Sequence, residues 1–277
     1  MDSPPSREPI FNVPLATLIL ALIILGIHAI RVWLLSDEAD FQLVFDWSFI
    51  PLRLDLLWAR DEAMEELKRL VTTGAQFSQD SIEYQKAVIA ARIGNDGSGR
   101  ALTLVTHAFL HGGWTHVIVN SLWLVAFGGA VDRRFGSLRY ILLGLVATAA
   151  GALAHMAIDP LSPLPLIGAS GAVSGFTGAM ARFAFSTGGP LGRWRAPGDD
   201  AFRYPAAPLV DFFRNSRAMI FVALWFGLNI LTGIAAVPLG VSDEPVAWMA
   251  HVGGFAAGFL LFDVFDPIGR LPKADLH

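Results

Sequence analysis

Apolar residues fall along this chain in runs of about twenty, separated by short polar connections and one long one. The runs are Phe11–Leu35, Leu102–Val131, Leu138–Ile158, Ile167–Phe185, Met219–Val237 and Val246–Phe265. An α-helix rising about 1.5 Å per residue needs about 20 residues to cross about 30 Å of hydrocarbon. The pattern therefore predicts an all-α polytopic membrane protein, a six-transmembrane-helix bundle with a long outer loop between helices one and two. The first run stays apolar too long for a signal peptide and no small-residue cleavage site follows it, so it reads as a retained helix.

Composition agrees: 54% of the 277 residues are hydrophobic and 16% are charged. The absence of cysteine excludes disulfides and thiol catalysis. The net charge of -4 says little, but its distribution says more. Arg133, Arg134 and Arg139 follow the second run; Arg193, Arg195, Arg203, Arg214 and Arg217 follow the fourth; Arg270 and Lys273 end the chain. Asp159–Pro165 has no Lys or Arg, and Gly240–Pro245 carries only Asp243 and Glu244. The positive-inside rule then puts both termini in the cytoplasm. The tail's Asp2, Arg7 and Glu8 lack transit-peptide chemistry, which points to a bacterial cell membrane.

No internal repeat is visible, so a single membrane domain over 1–277 is expected, with 36–101 as outer loop and 102–265 as helices two to six. In the loop, Phe45, Trp47, Phe49, Ile50, Leu54, Leu56, Leu57 and Trp58 mix with charges, a pattern suited to lying among lipid headgroups. Asp61–Val71 reads as helix, with Glu65 and Arg69 spaced to pair across a turn.

The fourth run holds the first candidate chemistry. From Ser170 to Phe185 it has room for only about 24 Å of helix, and the three prolines of Asp159–Pro165 keep the preceding stretch from being helical. Irregular backbone at membrane depth is tolerated where protein buries it or a wet cavity lies beside it, so Ser170 is expected at the floor of a water-accessible pocket. The sixth run supplies a partner, His251, about 7 Å below an outer end near Val246. Gly171 and Gly175 on one helix and Gly254 and Gly258 on the other form small-residue faces that let backbones approach, bringing Ser170 and His251 within reach. A neutral imidazole beside a hydroxyl can activate it as a nucleophile. The sixth run has no carboxylate before Asp263 to orient the imidazole, so the pattern reads as a dyad.

On the second run His116 and Asn120 stand four apart on one helical face, two donors that can stabilise an oxyanion. A metal site built from His107, His111 and His116 is the rival, though no carboxylate or HExxH pattern accompanies them. His107 and His111 otherwise read as hydrogen-bonding the outer loop onto the core.

His116-x-x-x-Asn120, Gly168-Ala169-Ser170-Gly171 and Ala250-His251 followed by Gly254-x-x-x-Gly258 together resemble the rhomboid family of intramembrane serine proteases. The resemblance implies Ser170 as nucleophile and His251 as general base and acid. It implies an oxyanion site made by His116, Asn120 and the Ser170 backbone N–H, with no cofactor or metal. Membrane-protein substrates and the lipid bilayer would be the partners, with no nucleic acid. Val131–Gly136 resembles the family's Glu-x-Arg turn, with Asp132 in the glutamate's place. Two positions depart from the pattern. Ser174 stands where an aromatic ring often stacks on the histidine, leaving Phe176 or Trp248 to orient His251, and Leu102-Thr103 replaces a tryptophan-arginine pair. An inactive client-binding relative and a proton-coupled transporter using His107, His111, His116 and His251 are the competing readings.

Overall fold

A computed structural model describes residues 13–97, 99–235 and 247–268. Asp2, Arg7, Glu8, the connection Gly240–Pro245, Arg270 and Lys273 lie outside the described residues, as do Phe11, Val237 and Val246 at the ends of three apolar runs.

The regular structure of the described residues is helical apart from two isolated β-bridges. A first helix, α1 (Leu15–Leu34), leads into a cap made of α2 (Asp37–Trp47), the short turn Pro51–Asp55, α3 (Arg60–Gly74) and α4 (Ile82–Asp96). The turns Thr103–Thr106 and His107–Phe109 lead to α5 (Trp114–Phe135), which is continuous through a π-helical stretch at Leu124–Gly128. Then come α6 (Ser137–Ile158), α7 (Ser170–Ala184), α8 (Ser216–Ala235) and α9 (Trp248–Leu260).

The expectation of six spanning helices is corrected. Among the described residues four helices are long and apolar enough to cross a membrane: α1, α5, α6 and the Ser216–Gly233 part of α8. With 15 and 13 residues, α7 and α9 reach only about 23 and 20 Å. The sequence runs overestimated them because an apolar run is not a helix. Ile167–Ala169 is irregular, and the sixth run breaks at Leu261 before a separate turn, Phe262–Phe265. The chain is thus an all-α polytopic membrane protein with four candidate membrane-spanning helices.

The shorter α7 is the centre of the molecule. Every residue from Val173 to Ala184 is buried, and α6 and α9 pack along it. Glycine makes the fit possible. A β-carbon on Gly254 would overlap the Gly171 carbonyl, and one on Gly258 would overlap the Gly175 carbonyl. The expected glycine faces therefore meet backbone to backbone, and Gly175 also faces Ala147 of α6.

Two charged residues after the π-helical stretch tie the bundle at one end. Asp132 accepts from the Thr17 N–H and hydroxyl at 3.2 and 3.1 Å, holding α1, and from Ser137 Oγ at 3.1 Å. Arg134 forms a bidentate pair with Asp266, both distances 2.9 Å, and donates to the carbonyls of Phe202 and Tyr204. Its guanidinium also lies over the rings of Phe183 and Phe262. The pair is almost fully enclosed.

At the other end the cap has its own core of Phe45, Ile50, Leu52, Leu56, Ala63, Leu67, Ala90 and Ile93. Of the residues expected among headgroups, Phe45, Phe49, Ile50, Leu54 and Leu56 are buried in protein, while Trp47, Leu57 and Trp58 remain exposed. Arg53 lies over the Phe45 ring and donates to its carbonyl at 2.7 Å; burial pushes the guanidinium down to about 10. Arg69 pairs with Glu66, three residues before it, rather than with Glu65. The helix containing them, α3, is present as read.

Removing Arg134 strands the Asp266 carboxylate in an enclosed site. Arg134→Ala is expected to cost about 3–5 kcal/mol, read as a lowered thermal midpoint in detergent. Gly258→Ala sets a methyl group against backbone and is expected to cost about 1–3 kcal/mol on the same measurement. An unchanged midpoint in Gly258→Ala would mean that the two helices do not depend on this close contact.

Candidate active site

The proline-rich stretch after α6 cannot continue that helix, so its backbone groups need other partners. They find them on the cap and on the segment before α5. Leu166 exchanges two backbone hydrogen bonds with Phe49, at 2.7 and 3.1 Å. The Gly168 N–H donates to the His107 carbonyl at 3.0 Å, and the Ala169 N–H to His111 Nε2 at 3.3 Å. Helix α7 begins at the next residue, Ser170. Ala169 offers no side-chain cap, so the first N–H groups of α7 point into the space before the helix.

Both buried histidines thus hold the run-in to Ser170. His107 Nδ1 pairs with the Thr103 carbonyl at 2.8 Å, and the His111 carbonyl accepts from Arg31 Nη1 at 2.8 Å. Arg31 is in turn held by Asp40 of the cap. Among the described residues no three His, Cys, Asp or Glu side chains are grouped as metal ligands.

His116 is the third residue of α5, with its ring edge-on to His111, centroids 5.0 Å apart. Its Nδ1 accepts from the Gly112 N–H at 3.4 Å, which places the proton of the neutral ring on Nε2. That N–H faces Gly168. A β-carbon there would come within 2.8 Å of His116 Nε2 and 3.8 Å of Ser170 Oγ, so the missing side chain leaves a space that both atoms border. Gly168 also has φ +121°, a conformation other residues rarely adopt. Asn120 gives one amide N–H to the His116 carbonyl at 2.9 Å and retains a second.

Across the glycine seam, His251 stands on the fourth residue of α9, three before Gly254, and Ser170 stands one before Gly171. The Gly171–Gly254 contact brings the two residues to within about 3 Å of the same level along the helices. Their side chains are not hydrogen-bonded to each other. His251 Nδ1 instead bonds Asn229 Oδ1 of α8 at 2.6 Å, which leaves Nε2 on the opposite edge of the ring. Neither residue expected to orient His251 does so: Phe176 stacks on Tyr140 in the core, and Trp248 packs against Gly233. Asn229 is the site residue that the sequence reading missed. Its signal was an amide in the middle of an otherwise apolar run, where a polar side chain calls for a partner.

Comparison with known proteins bears on the arrangement. The Rhomboid domain family matches residues 98–265. The rhomboid protease GluP of Bacillus subtilis is 41% identical over 83 residues, 30% of this chain and 16% of GluP. The Arabidopsis thaliana RHOMBOID-like protein 4 is 31% identical over 163 residues, 57% of this chain and 32% of that protein. RHOMBOID-like protein 5 of the same plant is 32% identical over 163 residues, 59% and 43% respectively. The chain spans less than half the length of each of these relatives. The family match covers more than half of this chain and contains Ser170, His251, His116 and Asn120, and the chain belongs to the rhomboid family of membrane proteins.

Proposed function

We propose that this protein is an intramembrane serine endopeptidase that cleaves transmembrane segments of other membrane proteins through a Ser170–His251 dyad. The observation that supports this reading is the backbone contact of Gly171 with Gly254, one residue after Ser170 and three after His251, near the heads of two helices too short to span. In this reading His251 Nε2 takes the Ser170 hydroxyl proton as Oγ bonds to the scissile carbonyl carbon. The carbonyl oxygen becomes an oxyanion in the space beside Gly168, where His116 Nε2–H, the remaining Asn120 N–H and the Ser170 backbone N–H serve as donors. His251 then passes the proton to the departing amine as the C–N bond breaks. Water, deprotonated by His251, hydrolyses the acyl-enzyme and restores Ser170.

The depth of the site governs what can be cut. A substrate helix must unwind to offer a carbonyl, so small and helix-breaking residues at the cleavage point are favoured. Residues 102–265 would form the catalytic helices and 36–101 an outer cap of one membrane domain. Both termini would lie in the cytoplasm of a bacterial cell, with water reaching Ser170 from outside and substrate from the lipid.

Purified protein is expected to cleave a labelled transmembrane test substrate and to react with a fluorophosphonate at Ser170. Ser170→Ala and His251→Ala should each lose about 10³-fold or more in kcat while eluting as folded protein in detergent. His116→Ala should lose about 10²-fold through the oxyanion. Full activity in either dyad variant rejects the mechanism. A wild type that neither cleaves nor labels would instead be a client-binding member of the family.

A further inference from the structure

His251 has two ring nitrogens, and only a ring protonated on Nδ1 leaves Nε2 free to accept the serine proton. Something must fix that tautomer. Among the described residues no carboxylate bonds the ring, and the group on its Nδ1 is Asn229 of α8.

The argument begins with the amide. Asn229 Nδ2 lies 2.7 Å from the Trp225 carbonyl, four residues back on the same helix. A carbonyl only accepts, so the amide nitrogen must face it and the amide oxygen must face His251. That oxygen also only accepts, so the His251 nitrogen 2.6 Å away must carry the proton. The chain of acceptors thus puts a proton on Nδ1, so that the neutral form of His251 carries its free lone pair on Nε2. Asn229 is buried, so little water competes for the bond.

Register along the two helices has its own support. Trp225 stacks on Phe255 with centroids 4.4 Å apart, and Phe226 meets the same ring edge-on at 5.4 Å. Asn229 lies four residues after Trp225 and His251 four before Phe255. On antiparallel neighbours those steps lead to the same level one turn away. The aromatic clamp therefore sets the amide opposite the imidazole.

We infer that Asn229 is a positioning residue that holds His251 as the Nδ1–H tautomer with Nε2 turned toward Ser170, so that the serine–histidine dyad is supported by an asparagine acceptor. The inference rests on the protease reading above. An amide orienting a catalytic imidazole in this way has physical precedent in cysteine–histidine–asparagine proteases.

The test uses the full chain in proteoliposomes, with active sites counted by stoichiometric fluorophosphonate labelling and kcat expressed per labelled serine. Asn229→Leu keeps the volume and removes the acceptor. It is expected to lower both kcat and the labelling rate constant about tenfold or more, with KM within about twofold. Asn229→Asp, whose carboxyl can still accept from Nδ1, is expected to recover most of that loss. A purely structural Asn229 would lower the fraction of labelled protein in Asn229→Leu and leave kcat per labelled serine unchanged, which overturns the inference. So would equal rates in the Leu and Asp variants. Wild type without Ser170 labelling or cleavage overturns the protease reading itself, and this inference with it.

Discussion

Backbone contact between α7 and α9 is the constraint on which the rest of the molecule depends. Lipid chains are as apolar as leucine, so two helices in a bilayer gain little from hiding apolar side chains against each other. What they gain comes from close van der Waals packing, and closeness is limited by β-carbons. At Gly254 and Gly258 there is none, and the carbonyls of Gly171 and Gly175 occupy the room. Helix α7 is therefore gripped along its length, which allows it to be short and to begin within the bundle. The same contact sets the level of His251 relative to Ser170, because each stands within a turn of the glycines that touch.

A helix that begins inside the bundle needs its entry segment held, and the cap performs that task. Phe49 pairs with Leu166, His107 receives Gly168 and His111 receives Ala169, so the N–H groups of Leu166, Gly168 and Ala169 are satisfied ahead of Ser170. The His111 carbonyl is fixed by Arg31, and Arg31 by Asp40. Cap, first helix and helix start thus form one hydrogen-bonded path, and a disturbance of the cap reaches the serine without crossing the core. His107 acts here through its carbonyl, and His111 through both its carbonyl and its ring Nε2.

Much of this was legible in the sequence, for identifiable reasons. Glycines spaced four apart, a serine after a proline-rich stretch and a histidine in an apolar run are local signals, and packing preserved them. The cap's α3 was also local, whereas the turn of Asp132 and Arg134 was marked by family resemblance and its partners Thr17 and Asp266 came from the fold. Span count was not legible, because hydropathy cannot distinguish Ile167 at an irregular entry from Val173 within a helix. Nor can it register the break at Leu261. Headgroup residence was misread in the cap for a related reason. Phe49 and Trp47 look alike in composition, yet one faces protein and the other faces outward. The support of His251 required knowing which helix lies beside α9, and no spacing within either helix encodes that.

That last point explains why a single amide can replace the aromatic ring that Ser174 does not provide. A stacked ring restrains the plane of an imidazole but leaves its tautomer open, since either nitrogen can carry the proton without changing the stack. A hydrogen bond at Nδ1 restrains rotation about the ring's long axis and selects the tautomer as well. The selection is only as firm as the orientation of the partner, because a freely flipping amide could donate as readily as it accepts. In this bundle the Trp225 carbonyl removes that freedom, and it does so from within the same helix, at a distance set by helical geometry. The chemical identity of His251 is thus fixed by an acceptor that touches neither the imidazole nor Ser170, and the aromatic clamp of Trp225 on Phe255 keeps the two helices in the register where that holds.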